Sequence, residues 1–123
     1  MATILLDHFY TINQLDKTDT VITANISFDP DHPIFGGHFP DMPVVPGVCQ
    51  AQILGEVLSQ ALENDFQLKT ASSIKFLAVV DPKKNPSLDI VITWIKNGDD
   101  FYSVSAQYKS DETIVFKFKG IYG

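Results

Sequence analysis

Apolar and polar positions alternate from Thr20 to Phe28 (TVITANISF), with Ile22, Ala24, Ile26 and Phe28 opposing Val21, Thr23, Asn25 and Ser27. The run is rich in β-branched residues and predicts a half-buried strand. Asp29-Pro30-Asp31-His32-Pro33 ends it in a turn, and a loop continues through Gly36-Gly37 to Pro46-Gly47. From Val48 to about Leu62 the period becomes helical. Ala51, Leu54, Leu58, Ala61 and Leu62 recur at three- and four-residue steps, with Val57 at the edge of the stripe. Pro46 and Gly47 sit where a helix begins, because a first turn has no partner for the N–H that proline lacks. Asn64-Asp65 closes the segment.

Beyond the helix the pattern predicts one strand after another. Leu68 to Val80 stops at Asp81-Pro82, then come Leu88 to Lys96, Phe101 to Lys109 and Thr113 to Tyr122. Asn97-Gly98 is a hairpin signal, and Ser110-Asp111-Glu112 separates the last two strands. A first strand is expected from Leu5 to Asn13. Strand, strand, helix and four strands make an α+β domain of two layers, with about six strands against one long helix. The helical stripe is wide and contains Gly55, so the sheet is expected to curl around it.

The 123 residues fit a single domain, 1–123, and 45% hydrophobic with 20% charged residues excludes a disordered chain. The nine basic residues are all Lys, against fifteen acidic ones, for a net charge of -6. Without guanidinium forks and with a negative balance, nucleic acid is not an expected partner. One cysteine, Cys49, allows no intrachain disulfide and no multi-cysteine metal centre. No apolar run approaches the ~20 residues that span a bilayer, and Ile4-Leu5-Leu6 is cut short by Asp7 and His8. A reduced, soluble, cytoplasmic protein is expected.

Chemistry is concentrated between Phe35 and Gly55 (FGGHFPDMPVVPGVCQAQILG). Pro40, Pro43 and Pro46 stiffen the loop, Gly36, Gly37 and Gly47 let its backbone turn or approach a ligand, and one imidazole, His38, stands among them. A histidine can take a proton next to a carbonyl. The N–H groups of Gly47 and Val48 at a helix start can hold the carbonyl oxygen as charge develops on it. A structural or surface histidine among glycines is the alternative that these residues alone leave open.

Gly37-His38-Phe39-Pro40 followed by Pro43-Val44-Val45-Pro46-Gly47-Val48 closely resembles the active-site loop of the 3-hydroxyacyl-[acyl-carrier-protein] dehydratases. Asn25 to Phe35, Ile74-Lys75-Phe76 and Val79-Val80-Asp81-Pro82 agree with the flanking features of that family, so the resemblance covers roughly Thr20 to Ile92. It implies a hotdog fold, in which a curved antiparallel sheet wraps around the central helix. It also implies dehydration of a 3-hydroxyacyl thioester to the 2-enoyl form in fatty acid, lipid or polyketide-type synthesis. His38 matches the catalytic histidine that works on the C2 proton, and Gly47 matches the glycine that binds the thioester carbonyl. The implied substrate is carried on the phosphopantetheine of an acyl carrier protein or CoA, with no metal and no diffusible cofactor. The implied assembly is a homodimer or higher homo-oligomer, His38 of one subunit facing the helix of the other.

Two departures stand out. The family's helix Glu or Asp, fourteen positions after the histidine, is here Gln52. An amide can hold a hydroxyl or a water but cannot protonate a leaving hydroxide. Glu56, one turn on, is the nearest carboxylate and a candidate replacement; its position on the helical wheel suggests instead a solvated residue. Asp41 replaces the glycine that usually follows His-Phe-Pro, where it can bond its own backbone or raise the imidazole pKa. Pro46, Val48, Phe35 and Phe39 are candidates for the substrate slot, the other Phe residues and Trp94 for core filling. Cys49 reads as a small core or tunnel residue, although a thiol at a helix start can be acidified. His8 and His32 lack ligand spacing, and His32 is expected to shape its turn. Lys75, Lys83, Lys84, Lys117 and Lys119 either steer an acidic carrier or protect strand edges. An acyl thioesterase is the alternative enzyme. The other alternative is an impaired subunit that binds acyl chains or pairs with an active paralogue.

Overall fold

The computed structural model describes residues 5–33, 45–84, 86–98 and 100–123. Its elements run β1 (Tyr10–Lys17), β2 (Val21–Phe28), α1 (Gly47–Leu62), β3 (Leu68–Phe76), β4 (Ser87–Asn97), β5 (Phe101–Ser110) and β6 (Thr113–Tyr122). All strands join one antiparallel sheet in the order β1-β2-β4-β5-β6-β3. The chain therefore crosses from β2 over α1 to the far edge before filling the centre. This is the α+β arrangement that the strand-strand-helix-strands pattern predicts.

The alternation read from the sequence sets the register. Ile22, Ala24 and Ile26 of β2 stand opposite Ile92, Ile90 and Leu88 of β4. Ile90 and Ile92 in turn meet Tyr108 and Ala106 of β5, which meet Phe116 and Phe118 of β6. All of these side chains are buried and form the inner face. Against it α1 buries Ile53, Leu54, Val57 and Leu58, each worth about 1.5–3 kcal/mol of transfer from water. Val57, expected at the rim of the stripe, is wholly enclosed. Burial runs unbroken from Ile53 to Ser59 because other segments cover the flanks that the sheet leaves open.

Two strands differ from expectation by more than a residue. The first strand is Tyr10–Lys17, not Leu5 to Asn13. Residues 5–9 instead form a turn, with His8 N–H and Phe9 N–H donating to the Leu5 carbonyl and Asp7 at φ 67°. The strand after the helix ends at Phe76. Leu77 and Ala78 N–H both donate to the Val115 carbonyl, which breaks the ladder, and Val80 turns inward to full burial. Most of the described phenylalanines fill the core as expected, and Phe76 and Phe101 are exposed in the single chain. The Asn97-Gly98 turn forms as predicted, with Gly98 at φ 70°. Among the described residues no helix is long and apolar enough to cross a membrane.

Candidate active site

His38, Phe35, Phe39 and Asp41 lie outside the described residues, between Pro33 and Val45. What is placed is the frame into which that segment returns. Val45 N–H donates to the Val80 carbonyl at 2.7 Å, and both residues are buried, so the turn after β3 pins the chain just before the helix. Pro46 caps α1 at φ -60° and ψ 144°, and its carbonyl accepts from Cys49 and Gln50 N–H. The N–H groups of Gly47 and Val48 come before Cys49 N–H, the first donor into the helix, so neither has an acceptor within α1. The helix starts at Gly47, one residue earlier than the periodicity predicts.

A Cβ at Gly47 would stand 2.7 Å from Cζ of Phe76, so any side chain there would have to displace this half-exposed ring. Val48 is 77% exposed in the single chain. Gln50 is 3% exposed; its Nε2 donates to the Val45 carbonyl at 3.3 Å, and its Oε1 is a buried acceptor with no hydrogen-bond partner among the described residues. Below it, Tyr108 Oη donates to the Gln50 carbonyl at 2.7 Å. Burial pushes the Tyr108 phenol well above its ordinary range.

The position of Glu56 corrects the sequence reading. It is not solvated: the residue has no exposed surface. Its Oε2 accepts from Leu5 N–H at 3.1 Å and from Gln52 Nε2 at 2.9 Å. Its Oε1 accepts from Leu6 N–H at 2.8 Å and from Tyr10 Oη at 3.1 Å. Among the described residues two donors reach each oxygen, about what the lone pairs of a carboxylate hold. The helical wheel placed Glu56 off the apolar stripe, and that is correct; the turn at residues 5–9 covers that flank. Burial, then the Glu56 carboxylate, holds the Tyr10 phenol above its ordinary value.

Gln52 and Glu56 are therefore brought together, and Gln52 is half-buried. No local pattern marks Tyr10 or the Leu5 and Leu6 amides as partners; only a buried helix carboxylate in need of donors would have asked for them. Cys49 is buried, and burial, then Glu56, pushes its thiol up rather than down. Here desolvation outweighs the helix start. His32 shapes its turn as expected, its N–H donating to the Asp29 carbonyl and its ring edge-on to Phe9 at 5.3 Å. Lys75 and Lys117 stand directly opposite on β3 and β6, and with Lys119 they border a shallow groove of about 490 Å³ on the sheet's outer face. Among the described residues no three His, Cys, Asp or Glu side chains form a metal-ligand set.

Comparison with known proteins gives this geometry its context. The family model described as ApeI-like, ApeI dehydratase, matches residues 13–117. The chain is 29% identical over 113 residues to a 3-hydroxyacyl-[acyl-carrier-protein] dehydratase FabZ of Clostridium perfringens, covering 83% of this chain and 81% of that one. Its fold is similar to that of the dehydratase heterocomplex ApeI:P from Xenorhabdus doucetiae, with TM-score 0.73, 19% identity and coverage of 89% and 95%. It is similar also to a mutant thioesterase from Pseudomonas aeruginosa, with TM-score 0.64, 12% identity and coverage of 90% and 78%. These neighbours are hotdog structures, and the fold is the one expected.

Proposed function

The chain belongs to the ApeI-like dehydratase family, and from that premise we propose that it removes water from a 3-hydroxyacyl thioester to leave the 2-enoyl thioester. The observation that carries this reading is the family match over residues 13–117, which contains the whole His-Phe-Pro to Pro-Gly run. His38 takes the C2 proton and, as the imidazolium, delivers it to the departing 3-hydroxyl oxygen, so that water leaves and the C2–C3 double bond forms. The thioester oxygen, as it gains charge, is held by the N–H groups of Gly47 and Val48, which the Val45–Val80 bond and Pro46 keep in place. Phe35 and Phe39 line the acyl slot, and Gln52 holds the 3-hydroxyl. The acyl group arrives on the phosphopantetheine of an acyl carrier protein or CoA. No step calls for a metal or a diffusible cofactor, and the setting is cytoplasmic.

The assembly is a homodimer or higher homo-oligomer joined along β3. Ile74 and Phe76 on that edge strand, Leu77 and Val79 just after it, and Val48 at the start of α1 are all exposed, which is more apolar surface than an isolated edge strand carries without a partner. Each site then combines His38 of one subunit with Gln52 of the other.

Purified protein given 3-hydroxyacyl thioesters should generate enoyl absorbance, and His38→Ala should abolish it. Absence of enoyl product at every chain length would overturn the reading, and thiol release from a saturated acyl thioester would move it to hydrolysis. Gln52 favours a second reading. Because an amide cannot protonate the departing oxygen, the chain would serve as an acyl-binding subunit or pair with an active paralogue. A large gain of dehydration in Gln52→Glu would support it; unchanged turnover would sink it.

A further inference from the structure

We infer that Gln50 is a positioning residue: it clamps the first turn of α1 and so fixes the direction of the Gly47 and Val48 N–H groups that hold the thioester oxygen. The inference rests on the site proposed above and concerns what keeps its two donors in place. A helix start is commonly fixed by a polar side chain at the cap, or by a Glu or Gln at the third helical position that bonds to the cap N–H. Pro46, the cap here, has neither a polar side chain nor an N–H, and it makes no side-chain bond. The residue after it is Gly47, whose backbone loses the most freedom on being ordered. Another group has to hold the peptide planes that carry the donors.

Gln50 does so through side chain and backbone together. Its Nε2 donates to the Val45 carbonyl at 3.3 Å, and its N–H donates to the Pro46 carbonyl at 3.1 Å. The Pro46 carbonyl and the Gly47 N–H belong to one planar peptide group, so a bond to the first sets the direction of the second. Tyr108 Oη, on β5, donates to the Gln50 carbonyl at 2.7 Å and ties the clamp to the centre of the sheet. Packing alone does not account for an amide at this place. Gln50 is 3% exposed, and its Oε1 is desolvated with no hydrogen-bond partner among the described residues, a cost that a methionine of similar length would not carry. The donor end of the amide is what the site uses.

The test pairs Gln50→Met with two readouts. The first is NMR of the Gly47 and Val48 amides while a saturated acyl N-acetylcysteamine thioester is added. Both amide protons should move downfield in the native protein, and by half as much or less in the variant. The second is turnover of a 3-hydroxyacyl N-acetylcysteamine thioester. Donors that act on charge in the transition state affect kcat, so kcat should fall about tenfold while KM changes about twofold or less. The urea midpoint should stay within about 0.5 M of the native value, because the variant loses one bond but also one bare oxygen. A merely structural role would lower the midpoint and leave the amide response intact in the protein that remains folded. That result, a native protein whose Gly47 and Val48 amides ignore the thioester, or a variant with native kcat would each overturn the inference. Should Gln50→Met not fold, Tyr108→Phe decides in its place, with a loss of about threefold in kcat and a smaller amide shift expected. Amide shifts that depend on Gln50 in a protein that yields no enoyl product would remove the dehydratase reading and keep this one.

Discussion

Individual side chains show which polar groups the interior supports and which it merely tolerates. Tyr108 Oη has an acceptor at 2.7 Å, whereas Tyr122 Oη is buried with no hydrogen-bond partner among the described residues. A buried hydroxyl without a partner carries its desolvation cost uncompensated. Tyr122→Phe removes that cost and keeps the ring against Phe118, so it should leave stability unchanged or raise it by about 1 kcal/mol. A urea titration would read the change, and a loss of more than about 1 kcal/mol would contradict this account. Cys49 belongs at the same scale. Its residue type and place at a helix start permit a reactive thiol, but burial and the nearby Glu56 carboxylate disfavour the thiolate.

The elements depend on one another through α1. Its apolar side was legible in the spacing of Leu54, Leu58 and Ala61, and its start in Pro46-Gly47. Its other flank was not, because a carboxylate off the apolar stripe reads the same whether it meets water or a layer of backbone amides. The layer here is the turn at residues 5–9, whose Leu5 and Leu6 N–H groups end on Glu56. Replacing Glu56 with Leu would leave those two amides, the Tyr10 hydroxyl and the Gln52 amide without their acceptor. The expected cost is at least about 3 kcal/mol, with amide exchange at Leu5 and Leu6 accelerating ahead of exchange in β4 and β5. Uniform acceleration throughout the sheet would show that the turn is not a separately held unit. The shift of the first strand from Leu5–Asn13 to Tyr10–Lys17 has the same origin, since those amides bond to a side chain rather than to a neighbouring strand.

For the whole molecule, charge and burial set the response to pH. The phenols of Tyr10, Tyr108 and Tyr122 are all pushed upward, desolvation being the largest cause in each. A phenol whose folded pKa exceeds its unfolded value stabilises the fold fully below the unfolded pKa. That contribution is lost as pH rises, because the unfolded chain releases protons that the folded one retains. Stability should therefore hold up to about pH 10 and fall progressively beyond it. Circular dichroism across an alkaline series checks this, and a flat profile to about pH 12 would contradict it. The exposed β3 edge is also a property of the whole: Ile74→Lys should shift the assembly toward monomer in sedimentation, with the enoyl-forming activity falling alongside. Fully active monomers would sink the shared-site arrangement.

Taken alone, the order of residues determined the α+β class, the two faces of β2, the bounds of α1 to within a residue and the His-Phe-Pro to Pro-Gly run. Each of these is written in local periodicity or local turn chemistry, which a chain carries whatever its neighbours. Tertiary structure decided the rest. It closed the N-terminal turn over Glu56, set Phe76 against Gly47, and raised the Cys49 thiol where the helix start would have lowered it. These outcomes depend on which distant segment arrives at a given surface. Dielectric and hydrogen-bond supply are properties of that enclosure and not of the residue being enclosed.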